Sequence, residues 1–193
     1  MDAIQLVKKD HRAVEKLFKD FERAEKAERQ ADMKRAVRGI VRELSVHAVI
    51  EETLLYPALR SAAPDVEDDV LEGLEEHHLV KVTLLELDKM SPKEERYAAK
   101  VTVLIENVRH HVQEEEAELL PALRKALAPA ELRALGERMA KAKKAAPTRP
   151  HPAAPDTPPG NLVTGAVASA YDRTRDALRD AVTPRNEQAP TLH

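Results

Sequence analysis

The feature that most constrains the fold of this 193-residue chain is a histidine–glutamate motif that occurs twice. Glu51 follows His47 by four residues, and the tetrapeptide Pro-Ala-Leu-Arg comes six residues after Glu51. Sixty-four residues later, His111 and Glu115 repeat the same spacing before a second Pro-Ala-Leu-Arg. Residues four apart lie on one face of an α-helix, because one turn takes about 3.6 residues. Each copy therefore directs an imidazole and a carboxylate to one point, and two facing copies supply ligands for a pair of metal ions.

Apolar residues recur at alternating steps of three and four in the rest of the chain, which is the packing pattern of antiparallel helices. The composition agrees, since 42% of residues are apolar, 34% are charged and only 3% are aromatic. The sequence therefore predicts an all-α protein, an antiparallel up-down four-helix bundle with a short fifth helix. The predicted helices span residues 2–26, 31–60, a third beginning near Pro64, a fourth beginning at the capping box Ser91–Glu94, and 129–143.

Eight of the thirteen prolines lie between Pro147 and Pro190, and this divides the chain into two parts. We predict a metal-binding bundle over residues 1–145, followed by a proline-rich linker and tail over 146–193. An intermittent apolar stripe in the tail predicts one amphipathic helix, along Val163, Val167, Tyr171, Leu178 and Val182.

Several classes of protein are excluded by what the sequence lacks. Without cysteine there are no disulfides, iron–sulfur clusters or thiolate metal sites, and the remaining nitrogen and oxygen ligands suit iron, manganese or zinc. No apolar stretch approaches membrane-spanning length, and the first residues lack a signal-peptide core, so we expect a cytoplasmic protein with no membrane partner. The net charge of −3, with both signs mixed along the chain, predicts no nucleic-acid partner.

Each of the four long predicted helices carries one histidine on its apolar stripe, and two helices add a carboxylate one turn later. The six inward groups are His11, His47, Glu51, His77, His111 and Glu115. Six polar groups in a bundle core are costly unless something satisfies them, and a metal centre does so.

Some of these histidines and glutamates have a neighbour of the same type, so one member of each pair must be selected as the candidate ligand. The helical phase favours His77 over His78 and His111 over His110, and the repeat favours Glu51 and Glu115 over the neighbours Glu52 and Glu114. We therefore expect Glu51→Ala and Glu115→Ala to lose metal far more readily than Glu52→Ala or Glu114→Ala.

Less specific interpretations compete with the metal site. A single histidine on an apolar stripe is usually a hydrogen-bonded core residue, and only the four together favour ligation. Glu15 lies beside the apolar stripe and is expected to face water.

Lys81 occupies a core position one turn after His77, where it could pair with a carboxylate or a bound anion. Tyr56 and Tyr97 are candidate redox-active or hydrogen-bonding neighbours of the centre, with ordinary packing as the alternative.

Two further histidines, His151 and His193, lie in the tail, and no specific role is expected for either.

Over residues 1–127 the chain resembles the hemerythrin-like, or HHE cation-binding, proteins. The resemblance rests on Asp10-His11, the His47/Glu51 motif with Tyr56-Pro57, Glu76-His77, and the His111/Glu115 motif with Leu120-Pro121. Members are four-helix bundles that hold two non-haem iron ions joined by an oxo or hydroxo bridge. The resemblance implies that Glu51 and Glu115 bridge the irons while the four histidines, His11, His47, His77 and His111, cap them.

One position departs from the oxygen-carrying members, which have a fifth histidine where this chain has Lys81. The resemblance therefore implies a di-iron protein that binds or senses oxygen, nitric oxide or peroxide, and not a reversible oxygen carrier. A catalase-like, peroxide-decomposing enzyme and an iron-storage or regulatory module are the alternatives.

Overall fold

A computed structural model of the chain describes residues 1–153 together with Ser169 and Asp172. Throughout this part of the chain the regular elements are helical, as predicted. They are α1 (Ala3–Lys26), α2 (Gln30–Ile50), a π-helical turn (Glu51–Leu55), α3 (Tyr56–Ala62), a 3₁₀ turn (Pro64–Val66), α4 (Glu67–Lys89), α5 (Tyr97–Glu114), a second π-helical turn (Glu115–Leu119), α6 (Leu120–Ala126) and α7 (Pro129–Lys143).

Four long rods form the bundle. The first is α1, and the second is α2 continued through the first π-turn into α3. The third is α4, and the fourth is α5 continued through the second π-turn into α6. Side chains at one end of the bundle form an apolar cluster around Leu55, Leu59 and Leu123, and those at the other end form a second cluster around Phe18, Phe21 and Leu104. The inward histidines lie in the layer between these clusters.

The two π-turns occupy equivalent positions in the duplicated motif. The amide of Tyr56 bonds to the carbonyl of Glu51, and the amide of Leu120 bonds to the carbonyl of Glu115, each five residues back. In both rods the next residue is a proline. Because proline has no amide hydrogen to donate, it would interrupt the hydrogen bonds of a regular α-helix at this point. The rods therefore continue past Pro57 and Pro121 instead of ending there, and each widened turn lies at a predicted metal ligand.

The predicted start of the fourth helix at Ser91–Glu94 is wrong, since α5 begins at Tyr97. The capping contact itself forms, because the amide of Ser91 lies 2.5 Å from Oε1 of Glu94. The next backbone bonds, however, join the amide of Glu94 to the carbonyl of Ser91 and the amide of Tyr97 to the carbonyl of Glu94. These bonds reach back three residues instead of four, so residues 91–96 form tight turns that connect α4 to α5.

The fifth helix is confirmed as α7, which packs along α1 and α2. Gly136 lies against the backbone of Met1, Asp2 and Ala3, where α1 begins. Beyond α7, Arg149 contacts Asp88 at the end of α4, with 2.5 Å between Nη1 and Oδ2. Its amide also donates to Asp172 in the tail. The predicted tail helix and His193 lie outside the described residues, apart from the single positions Ser169 and Asp172.

Among the helices that the structure describes, none is long and apolar enough to cross a bilayer.

Candidate metal centre

The structure brings the six inward groups together in the middle of the bundle. Their ligand atoms form two overlapping groups, and within each group the atoms lie within 4.8 Å of one another. One group comprises His11, His47, Glu51 and Glu115, and the other comprises Glu51, His77 and His111. Glu51 is shared by both groups, whereas Glu115 belongs to the first alone.

The Nε2 atoms of the histidines point into this space. Nε2 of His11 lies 3.0 Å from Oε2 of Glu115, and Nε2 of His47 lies 3.1 Å from Oε1 of Glu51. On the other side, Nε2 of His77 lies 3.3 Å from both Oε2 of Glu51 and Nε2 of His111. Nε2 and carboxylate oxygens are the donors that iron, manganese and zinc accept.

Several of these atoms are buried and make no hydrogen bond of normal geometry, although histidine and carboxylate atoms lie 3.0–3.3 Å apart. They are Nε2 of His11 and all four carboxylate oxygens of Glu51 and Glu115. Burying a carboxylate without compensation costs several kcal/mol or more, on the order of magnitude seen for unpaired buried ions. A cation placed between the two glutamates would compensate them at once, so the donor set fits one or two divalent metal ions.

The pKa values respond to this crowding. Burial lowers the pKa of His11, but the adjacent carboxylates, Glu115 first, raise it to about 9. Burial drives the pKa of His47 well below its usual range and that of Glu51 well above. For Glu115 the attraction of His11 outweighs burial and lowers the pKa. His11 is therefore protonated near neutral pH in the metal-free protein, and a metal ion bound there would displace that proton.

Three glutamates outside the predicted set contact the Nδ1 atoms of the histidine rings, whereas the Nε2 atoms face the centre. Nδ1 of His11 lies 2.8 Å from Oε1 of Glu116. Nδ1 of His77 lies 3.1 Å from Oε1 of Glu52, and Nδ1 of His111 lies 2.6 Å from Oε2 of Glu76. A carboxylate on Nδ1 orients the ring and raises the basicity of Nε2, as in many metalloprotein sites.

The sequence does contain a signal for two of these glutamates. Both copies of the motif carry a second glutamate directly after the first, so the repeat is His-x-x-x-Glu-Glu in each case. Glu52 and Glu116 are those second glutamates. The relative importance of Glu51 and Glu52 for metal retention stays a prediction, but the structure adds that the Glu52 side chain is buried against His77.

Glu114, in contrast, is exposed and pairs with His110, as expected for residues outside the centre.

Lys81 pairs with a carboxylate, which is one of the two roles that its position predicts. Its Nζ lies 3.0 Å from Oε1 of Glu52, and the side chain is buried. Glu15 faces the surface and accepts from Arg109. Nε2 of His151 lies 3.1 Å from Oδ2 of Asp172, and the absence of a specific role for His151 stays a prediction.

Only one of the two candidate tyrosines adjoins the centre. The Tyr56 ring stacks on His77 with 5.5 Å between ring centroids, and its hydroxyl lies 3.5 Å from Nε2 of that histidine. Gly73 makes room for the hydroxyl, because a Cβ at this position would lie 2.9 Å from it. Tyr97 instead packs in the distant apolar cluster of Phe18 and Phe21, where burial raises its pKa to about 12.

A small cavity of about 80 Å³ opens from the surface towards the centre between α4 and the second π-turn. Its inner wall includes the candidate ligands His111 and Glu115. Its remaining lining is strongly acidic, with Asp69, Glu72, Glu76, Glu114 and Glu118 beside Gly73 and Leu119. Solvent and small molecules can therefore approach the centre from this side.

Comparison with known proteins agrees with this geometry. A family model described as the hemerythrin HHE cation binding domain matches residues 2–123. A hemerythrin-like protein of Schizosaccharomyces pombe is 31% identical over 171 residues, which cover 88% of this chain and 83% of that protein. The crystal structure of a hemerythrin HHE cation binding domain-containing protein from Mycobacterium kansasii superposes with a TM-score of 0.64 and 26% identity, and covers 75% of this chain and 86% of its own.

A protein of Nostoc named DNA nickase is also similar. It is 28% identical over 124 residues, which cover 64% of this chain but only 34% of that protein.

Proposed function

Because the chain belongs to the hemerythrin HHE cation-binding family, we propose that its bundle holds two non-haem iron ions and binds or senses a small ligand. The ligand would be oxygen, nitric oxide or peroxide. The single observation that carries the proposal is the pair of overlapping ligand groups with Glu51 in common. Two groups that share one carboxylate suit two neighbouring ions, which the shared carboxylate can bridge.

The chain's own residues would hold the metal and orient the ligand, while the bound iron supplies the redox chemistry. The Nε2 atoms of the four histidines would face the ions, and the buried carboxylates of Glu51 and Glu115 would balance their charge. The apolar clusters at the two ends of the bundle limit the access of water to the acidic cavity side, which strengthens each of these electrostatic interactions.

Lys81 favours ligand sensing or peroxide chemistry over reversible oxygen carriage. Lysine has no imidazole, and the ammonium group of Lys81 is held by the carboxylate of Glu52, so the centre has four histidines and not five. The group formed by Glu51, His77 and His111 also contains fewer donors than the other. We therefore place the small ligand on that side, which adjoins both Tyr56 and the acidic cavity.

Metal analysis of the purified protein tests the proposal, together with anaerobic titration of the metal-free protein with Fe²⁺. We expect two irons per chain and near-ultraviolet charge-transfer absorption after exposure to air. Two manganese or two zinc ions per chain would support the proposed two-metal site but would change the identity of the metal. A protein that contains no metal and takes up neither Fe²⁺, Mn²⁺ nor Zn²⁺ would overturn the proposal.

A second candidate function is the decomposition of peroxide, and the position of Tyr56 favours it. The buried phenol of Tyr56 lies beside the centre and could donate a hydrogen bond to a small ligand held there. Oxygen evolution from hydrogen peroxide by the iron-loaded protein, lost in the Tyr56→Phe variant while both irons remain, would support an enzyme. A stable nitric oxide or oxygen adduct without turnover would support sensing.

We do not extend DNA nicking to this chain. The similarity covers about a third of the nickase, and its 124 residues correspond in length to the metal-binding bundle. Our proposal includes no nucleic-acid partner.

A further inference from the structure

The duplicated motif continues one residue beyond the glutamates that face the metal positions. Glu52 and Glu116 occupy equivalent places in the two copies, and each reaches a histidine on another helix of the bundle. Each also binds a lysine: Lys81 lies 3.0 Å from Glu52, and Lys8 lies 3.0 Å from Glu116. The protein thus contains two lysine–glutamate–histidine chains, one directed at each group of candidate ligands.

The two chains differ in their exposure to solvent. In the first, the side chains of Lys81 and Glu52 are 6% and 4% exposed. In the second, the side chains of Lys8 and Glu116 are 38% and 33% exposed. Water and salt screen the second pair, whereas the first pair is held in a medium of low dielectric constant.

This difference has a consequence for the histidine at the end of each chain. Glu52 is fixed by Lys81 and surrounded by protein, so it has little freedom to move away from His77. Glu116 is partly solvated, and water can replace it as the acceptor for Nδ1 of His11. Removal of the buried carboxylate would therefore disturb its histidine more than removal of the exposed one.

We infer that Glu52 and Glu116 are positioning residues for His77 and His11, and that their unequal burial makes the two metal positions unequal. The position formed by Glu51, His77 and His111 depends more on Glu52 than the position that includes His11 depends on Glu116. This inference rests on the proposed two-metal function and adds a role for two residues that do not face the metal positions themselves.

The experiment uses Zn²⁺, because it accepts the same nitrogen and oxygen donors and permits NMR. Calorimetric titration of the full chain gives the affinity for each equivalent. Loss of a supporting carboxylate typically weakens metal binding by about 10–100-fold. We expect Glu52→Ala to weaken one equivalent within that range, and Glu116→Ala to weaken the other by less than about tenfold. Glu75→Ala, which removes an exposed glutamate of α4, is the matched control and should change neither.

Two additional measurements separate positioning from a general loss of structure. Glu52→Gln keeps an acceptor for Nδ1 and should recover part of the lost affinity. In the Zn²⁺-loaded protein, Glu52→Ala should shift or broaden the Nδ1 proton signal of His77 and leave that of His11 unchanged. Because Glu52→Ala leaves Lys81 buried without this partner, the double variant Glu52→Gln/Lys81→Met provides a neutral pair if the single variant does not fold.

Equal losses in Glu52→Ala and Glu116→Ala, or an unchanged His77 signal, would overturn the inference while leaving the two-metal proposal intact. A wild-type protein that binds no metal would overturn the proposal itself.

Discussion

Among the residues of the centre, Glu51 is the one that belongs to both ligand groups. Its two oxygens face different histidines, His47 on one side and His77 on the other. Glu115 faces His11 and belongs to one ligand group only. Loss of the shared carboxylate should therefore affect both metal positions, and loss of the unshared one should affect mainly the first.

We accordingly expect Glu51→Ala to lose both metal ions and Glu115→Ala to keep at least part of one equivalent. Glu114→Ala should keep both, because that side chain is exposed and pairs with His110. Metal content after dialysis against a weak chelator measures all three variants. Full retention of metal by Glu51→Ala would mean that the shared carboxylate is not a ligand.

Tyr97 provides a test of pH dependence at a residue far from the centre. Burial raises its pKa to about 12, above the value near 10 of an exposed tyrosine. Between these two pH values the unfolded chain loses the phenolic proton while the folded chain keeps it. The free energy of unfolding should therefore fall as the pH rises from 10 to 12, and part of this fall should be absent in Tyr97→Phe.

Urea unfolding of both metal-free proteins at pH 8 and pH 11 measures this difference. Tyr97→Phe should bind metal like the wild type, because the ring packs among apolar side chains. An equal decline with pH in the two proteins would contradict the assignment.

At the level of helices, the periodicity of apolar residues is what predicts most of the fold. The stripes locate the rods and select the buried member of each histidine pair, because one apolar face must turn inward in every helix. The π-turns are not visible in this way, since each is followed by a helix of only seven residues, which is too short to show the shifted phase. Their effect is large at the first copy, where both Glu51 and Glu52 become buried although they are adjacent in sequence. Supporting contacts such as Glu76 with His111 join different helices, and a helical pattern says nothing about which residues meet across them.

The docking of α7 depends on a glycine. A Cβ at Gly136 would lie 2.6–2.7 Å from backbone atoms of Met1, Asp2 and Ala3, which cannot move without displacing α1 or α7. A Cβ at Gly39 would instead meet the side-chain end of Leu17 at 2.8 Å, which can rotate away. Both glycines lie within helices, so the gain in helix propensity from alanine is the same for each.

We therefore expect Gly136→Ala to lower the free energy of unfolding by about 2 kcal/mol, within the usual range for overpacking. Gly39→Ala should stay within about 1 kcal/mol of the wild type, because the side-chain shift and the helix propensity offset each other. Denaturant unfolding of the metal-free proteins compares the two. If both variants unfold like the wild type, α7 is not held against α1 as the structure shows.

For the molecule as a whole, the two halves of the bundle repeat the same arrangement but differ in what covers them. The half formed by α1 and α2 is overlaid by α7. The half formed by α4 and α5 contains the acidic cavity that leads to His111 and Glu115. The route into the centre is therefore lined by carboxylates, and like charges repel an approaching anion.

This asymmetry predicts selectivity by charge in the iron-loaded protein. Nitric oxide is neutral and should bind at a rate that is independent of ionic strength. Azide is an anion, so its association should be slow at low salt and should accelerate as salt screens the cavity. The double variant Glu72→Gln/Glu118→Gln, which neutralises two exposed carboxylates of the cavity, should raise the azide rate several-fold and leave the nitric oxide rate unchanged.

The control double variant Glu106→Gln/Glu137→Gln removes the same charge from exposed positions outside the cavity lining and should have little effect. Stopped-flow absorption at two salt concentrations measures both rates, and equal acceleration of azide by the two double variants would show that anions reach the centre by another route.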